Sequence, residues 1–241
     1  IATESRRCRM LSVAAPSLPV YGKRRKVVRR RRFRKRRGMA SYIKRVMLKQ
    51  CETKHKSSEW QNAQLYHNTP YDWASWSPLS SIGQGDDENE RTGDEIIGTF
   101  MKCKLMLFSK ANRPNVTYRI VVYRCPKDET TTNHLNIYEG ISANKLLDSV
   151  NTDKYSPVFQ KFVKITNDSS QEPSAALKET SRYVSFTIPL RNRKIKYDAS
   201  EPKLQRYCFR LSITCYDAFG TLATDNIASF AHNTRVYYKD P

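Results

Sequence analysis

Apolar and polar residues alternate with period two over much of the second half of the chain, and this pattern predicts β-strands. Val158 to Thr166 sets Val158, Gln160, Phe162, Lys164 and Thr166 against Phe159, Lys161, Val163 and Ile165. Tyr183 to Leu190 sets Tyr183, Ser185 and Thr187 against Val184, Phe186 and Ile188. Arg206 to Tyr216 alternates aromatic and aliphatic residues with polar ones, and Ala228 to Tyr238 closes the series. Ile96 to Phe108 is rich in β-branched, aromatic and sulfur side chains. Val116 to Arg124 (VTYRIVVYR) is the plainest strand of all. Upstream, Ile43, Val46, Met47, Leu48 and Cys51 predict a first strand from Tyr42 to His55, and residues 57–95 read as one long loop. The single helix predicted is Ile141 to Val150 (ISANKLLDSV).

Turn-rich segments separate these strands at uneven intervals, and no repeat recurs. The fold class expected is therefore all-β, an antiparallel sandwich or barrel, with spacing that suits a jelly roll better than an immunoglobulin module. Trp73, Trp76 and Tyr71 fall in the predicted loop. They either cap the local core or anchor an interface, since large aromatics dominate such contacts.

Charge changes this picture. The chain has 241 residues and a formal net charge of +20. Residues 1–56 hold 20 basic and 2 acidic residues, whereas residues 57–241 hold 23 basic and 21 acidic. The chain thus reads as a cationic arm, 1–40, ahead of a body, 41–241, that is nearly neutral from residue 57 onward. Within the arm, twelve of the fifteen residues from Lys23 to Arg37 are basic: Lys23, Arg24, Arg25, Lys26, Arg29, Arg30, Arg31, Arg32, Arg34, Lys35, Arg36 and Arg37. Such a run repels itself, has almost nothing apolar to bury, and is expected to be disordered until it meets a polyanion. Nucleic acid is the expected partner, because neutralising phosphates releases condensed counterions. Nuclear import is a compatible second use. A second cluster, Arg191, Arg193, Lys194 and Lys196, with Tyr197 beside it, is either a solvated turn or a further set of phosphate contacts. The acidic stretch Asp86 to Glu90 reads as a soluble loop or as a match for a basic patch on another subunit.

Candidate chemistry narrows the class by what is missing. His55, His67, His134 and His232 have no nucleophile or metal-protease motif around them. Cys8, Cys51, Cys103, Cys125, Cys208 and Cys215 include no CxxC pair, so no zinc site is expected. No signal-peptide core is evident in Met10 to Val20, so all six are expected as free thiols, and the sequons at Asn115 and Asn167 as chance matches. Asp217 and Asp225 flank a segment that reads as a turn between the last two strands rather than a metal site. No apolar run approaches the roughly 18 residues needed to cross a bilayer. No enzyme, cofactor, metal or membrane insertion is expected.

Several local motifs resemble the capsid proteins of small circular single-stranded DNA viruses, the circovirus-like and geminivirus-like group. The loop Ile82-Gly-Gln-Gly-Asp-Asp-Glu-Asn-Glu-Arg-Thr-Gly-Asp-Glu-Ile96 looks like the segment before their second jelly-roll strand, and Tyr118-Arg-Ile-Val-Val122 like the strand that follows. Phe186-Thr-Ile-Pro-Leu190 with Lys194-Ile-Lys-Tyr197, and Arg235-Val-Tyr-Tyr-Lys-Asp240, are similar to a later strand and turn and to the closing strand. The resemblance implies a single eight-stranded antiparallel jelly roll with an inward-facing basic arm, assembled as a homo-oligomeric icosahedral shell of about 60 copies. It implies single-stranded DNA and host nuclear import receptors as partners, the virion and the host nucleus as locations, and inner-wall contacts by Arg191, Arg193, Lys194 and Lys196. The alternative is a viral nuclear-shuttle or movement protein, which needs the same arm but no closed shell. A cellular chromatin or RNA-binding protein finds no RRM, KH, zinc-finger or helix-turn-helix signature here.

Overall fold

The strand that ends the chain lies between the first strand and the third, so the sheet cannot be completed until the C-terminus is in place. The computed structural model describes residues 38–73, 76–113, 115–127, 137–166, 180–199, 201–217 and 221–240. They form one helix, α1 (Met39–Gln50), and eight strands: β1 (Thr53–Tyr66), β2 (Tyr71–Trp73), β3 (Glu95–Ser109), β4 (Asn115–Pro126), β5 (Ser156–Thr166), β6 (Thr180–Lys196), β7 (Tyr207–Asp217) and β8 (Asn226–Lys239). Two four-stranded sheets result, ordered β1-β8-β3-β6 and β2-β7-β4-β5. The long pairings β1–β8, β3–β8, β3–β6, β4–β7 and β4–β5 are all antiparallel. Eight antiparallel strands in this order are a jelly roll, as the strand pattern led us to expect.

The core lies between the sheets, and alternation explains who enters it. From β3, Met101, Cys103, Leu105 and Leu107 point inward and are buried, while Lys102, Lys104 and Met106 point out. From β8, Phe230, His232, Thr234, Val236 and Tyr238 are buried. Strand β4 departs from alternation because both its faces are covered. Val116, Tyr118, Ile120 and Val122 join the inter-sheet core. Val121, Tyr123 and Cys125 form a second core with Ile137, Tyr138, Val150 and Tyr155 of the β4–β5 connection.

Four expectations need correction. Tyr42 to Cys51 is not the first strand. Met39, Tyr42, Ile43, Val46 and Met47 follow the i, i+3, i+4, i+7, i+8 spacing of one helical face, and α1 carries them exposed. The amine of Lys239 donates to the carbonyls of Leu48 and Cys51 and so caps the end of that helix. The true first strand occupies Thr53–Tyr66, at the edge of its sheet, so residues 57–95 are a strand, a short strand and a 3-10 turn (Pro78–Ser81) rather than one loop. Ile141 to Val150 forms turns, not a helix, with Ile141 and Leu147 exposed. Last, Cys125 and Cys208 are not free thiols. They face each other across β4 and β7 and form a disulfide with Cα atoms 5.4 Å apart. Cys51, Cys103 and Cys215 are free, and Cys8 lies outside the described residues.

Three arginines tie the connections down. Arg91, fully buried, donates to the Gly93 carbonyl (2.5 Å), the Asp94 carboxylate (3.1 Å) and the Glu201 carbonyl (3.0 Å), with its guanidinium 4.5 Å from the Tyr197 ring centre. This joins the β2–β3 connection to the β6–β7 connection. Arg119 donates to the carbonyls of Lys145 (2.8 Å), Leu146 and Asp148 and lies over Tyr138 at 4.6 Å. Burial opposes ionisation of Asp148. Hydrogen bonds from Lys145 and from the Gly140 backbone outweigh it and hold the carboxyl below its usual range. Arg113 donates to Asp217 and Asp225 at 3.4 Å each, so these two carboxylates clamp the turn before β8.

His232 is the weak point of the core. Its ring sits edge-on to Trp73 at 5.5 Å, and neither ring nitrogen has a hydrogen-bond partner among the described residues. Burial pushes its pKa down to about 4 from 6.5. The unfolded chain therefore binds the proton first as pH falls, and the neutral imidazole's full contribution is present only above about pH 6.5. Chemical denaturation across pH is expected to show stability falling from about pH 6.5 through about pH 4 by about 3 kcal/mol. His232→Leu is expected to reduce that slope, leaving the part due to His67, whose pKa burial also lowers, and an unchanged slope would disprove the assignment.

Removing residues 235–241 takes the end of a central strand from two partners. Val236 and Tyr238 are fully buried, each worth roughly 1.5 to 3 kcal/mol against a total stability of about 5 to 15 kcal/mol. The truncated chain is expected to be unfolded or aggregated by circular dichroism and light scattering. A soluble, folded product would show that β8 is dispensable.

Candidate nucleic-acid interface

The twelve cations of Lys23 to Arg37 lie outside the described residues. The second basic cluster lies on β6, beyond a break in its pairing with β3 between Gly98 and Phe100. Arg191 and Asn192 adopt left-handed backbone there, with φ of 59° and 52°. Gly98, paired with Arg193, packs closely against this segment: a Cβ there would come within 2.7 Å of Ile195 Cδ1 and 2.9 Å of Leu190 Cδ1, so those side-chain ends would have to shift. The kink turns the four cations to different uses.

Lys194 and Lys196 converge on Glu95 of β3, at 2.5 Å and 2.9 Å. Their hydrogen bonds hold its carboxyl at about 2, well below the usual range. These two lysines are thus locally neutralised in part. Arg191 and Arg193 instead line a crevice of about 250 Å³, whose wall also includes Arg124 and Tyr207. Arg124 comes from β4, donates to Ser156 Oγ (3.1 Å) and lies 5.6 Å from the Tyr207 ring centre. Its Nε has no hydrogen-bond partner among the described residues. Three guanidinium groups around one opening suit phosphate oxygens, which they can bind through paired N–H groups. Tyr197, adjacent in sequence, is no part of this. It is fully buried and donates to the Leu79 carbonyl (3.0 Å).

Arg124 was not singled out in the sequence, because it looks like an ordinary polar position in a strand. Only the convergence of the ends of β4, β5, β6 and β7 around the crevice brings it to the same opening as Arg191. The aromatic trio is core: Trp76 is fully buried, and Tyr71 and Trp73 pack against the main cluster. The acidic stretch Asp86 to Glu90 is tied to its own chain, since Lys54 donates to the carbonyls of Asp87 (3.4 Å) and Glu90 (3.0 Å). No helix among the described residues is long and apolar enough to cross a membrane. No group of three or more metal-ligating side chains occurs among them either.

No known protein family and no curated protein matches the chain. Among solved structures it is similar to that of Desmodium yellow mottle tymovirus, at 11% identity over 79% of this chain and 89% of that one, with a TM-score of 0.34. It is also similar to the empty head of turnip yellow mosaic virus, at 8% identity over 98% of this chain and 90% of that one, with a TM-score of 0.35. Likenesses this distant carry no argument about function, which has to come from the chain's own residues.

The geometry separates the four cations experimentally. Replacing Arg191 and Arg193 with Gln is expected to lower the salt slope of single-stranded DNA binding by about 0.7 for each phosphate they engage. Replacing Lys194 and Lys196 with Gln is expected to change it much less, because Glu95 already engages them. Equal effects would show that the crevice has no special role.

Proposed function

We propose that this chain is the coat protein of a small virus, in which jelly-roll subunits close into a shell and the Arg-rich arm holds packaged circular single-stranded DNA. The observation that carries this reading is the joining of two unlike parts. A jelly roll, an architecture used in viral shells, follows a run of twelve cations in fifteen residues, while residues 57–241 are close to neutral. Fold alone does not imply function. The arm adds the need for a polyanion, and the resemblance of the Ile82–Ile96 loop and the closing strand to circovirus-like and geminivirus-like capsid proteins favours DNA.

In this reading the body, 39–241, builds the shell as a homo-oligomer. The arm residues Lys23 to Lys26, Arg29 to Arg32 and Arg34 to Arg37 neutralise phosphates without reading sequence. Many such arms enclosed in one particle repel one another, so packaged nucleic acid acts as the counterion for assembly. Arg124, Arg191 and Arg193 add a fixed phosphate site on the folded body. The same arm serves host nuclear import receptors, so the protein passes through the host nucleus before it reaches the virion. Its role is structural, with no reaction to catalyse.

Deleting residues 1–38 tests this directly. Binding of the full chain to single-stranded DNA is expected to fall steeply with salt, since each neutralised phosphate contributes about 0.7 to the slope for a single strand. The deletion is expected to keep the β domain's circular dichroism and to remove most of the affinity and most of the slope. Unchanged affinity and slope would show that the arm is not the binding element.

A further inference from the structure

The two sheets of the sandwich are treated differently on their outer sides. The β4–β5 connection covers the outer side of β4 with a second core. The sheet β1-β8-β3-β6 has no such cover among the described residues, and its outer side carries large apolar side chains: Met106 is 41% exposed and Tyr183 60%. Register places these residues in rows. Phe100 lies between Pro189 and Tyr237, and Tyr237 lies opposite His55. The Phe100 and Tyr237 rings stack at 4.5 Å, and His55 is 6.2 Å from Tyr237. In the next row Lys102 lies beside Arg235, and in the one after Lys104 lies beside Asn233. Beyond it, Met106, Phe108 and Tyr183 line a groove of about 510 Å³ with Lys104 at its side.

We propose that this uncovered face is a second nucleic-acid site, where bases of a single strand stack on Phe100–Tyr237 and in the groove at Tyr183. Lys102, Lys104 and Arg235 hold the phosphates between the two stations. The proposal rests on the nucleic-acid-binding reading above and adds a folded, aromatic site to it.

Spacing and charge support this occupant. Phe100 and Met106 are six residues apart on one strand, about 20 Å, room for a few nucleotides in extended form. Between the Phe100 row and the Phe108 row, the one carboxylate pointing outward among the described residues is Glu59, against Lys102, Lys104 and Arg235. Lys102 and Lys104 make no ion pair among the described residues. They sit on a strand with partners on both sides, at the middle of the face. A second copy of the chain docked there would bury two unpaired ammonium groups at the centre of an interface, where lysine is depleted and desolvation is costly. Phosphates remove that penalty, and aromatic rings interleaved with cations are how proteins hold single strands without reading sequence. The arm, by contrast, has one aromatic residue, Phe33, in its whole basic run.

The test uses the full chain and a homopyrimidine DNA oligonucleotide of about 12 nucleotides. Photo-crosslinking with mass-spectrometric mapping, which needs no substitution, is expected to mark Phe100, Tyr237 or Tyr183 as well as the arm. Phe100→Leu with Tyr237→Leu, checked for folding by circular dichroism, is expected to weaken binding about tenfold with an unchanged salt slope, because stacking releases no counterions. Lys102→Gln with Lys104→Gln is expected to lower the slope. Crosslinks confined to residues 1–37, or unchanged affinity in the folded double variant, would overturn the proposal. Unchanged affinity with altered assembly would also overturn it and assign the face to contacts between copies. Absence of any salt-dependent binding by the unaltered chain would instead remove the nucleic-acid reading on which this site depends.

Discussion

Insertion of β8 between β1 and β3 governs how everything else in the molecule is arranged. It joins residues more than a hundred positions apart, with Thr53 opposite Lys239 and Ser109 opposite Ala228. It also gathers the two ends of the body at one place. Lys239 holds the carbonyls that end α1. Asp240 accepts from the Thr92 backbone N–H at 2.7 Å and pairs with Lys54 at 3.5 Å. Arg91 then carries the same region across to the β6–β7 connection. Such pairing is dominated by distant contacts, and loop-closure entropy has to be overcome before those contacts stabilise anything.

The same topology divides the molecule's surfaces. One sheet is closed over by its own chain, through Arg119, Tyr138 and the Asp148 turn. The other keeps an open face of aromatic rings and lysines. Helix α1 leads into β1 at the edge of that open sheet. Charge follows the same division: an excess of cations lies in residues 1–56, and the body adds cations gathered in the Arg124 crevice and on the open face. On the proposed reading, such a division separates shell formation, which depends on packing, from cargo retention, which depends on phosphate.

How much of this was legible in the sequence depended on burial. Strands β3, β4, β6, β7 and β8 bury at least one face and β5 buries Val163 and Ile165 at alternate positions, so alternation or a continuous apolar run marks each one. Strand β1 is an edge strand with most side chains at least partly exposed, so positions 53–66 look like loop. The apolar spacing just before it, which is helical, looked like a strand because Ile43 and Val46 are β-branched. Ile141 to Val150 has helical spacing, but Arg119 and Asp148 hold its backbone in turns instead. The disulfide joins residues 83 positions apart, a pairing that only register reveals. At the site, Arg191 and Arg193 could be picked out as a cluster, whereas Glu95, which neutralises their neighbours, and Arg124, which joins them, lie on other strands. The aromatic face escaped notice because Phe100, Tyr183 and Tyr237 come from three strands and converge only in the folded sheet.

Whether the chain encloses its cargo can be seen by electron microscopy of the purified full-length protein, before and after nuclease treatment. A coat protein is expected to give closed, uniform particles that protect single-stranded DNA from the nuclease and release it on denaturation. Soluble monomers or open oligomers whose bound DNA is fully digested would contradict that reading and would favour a shuttle or movement protein that carries DNA without enclosing it.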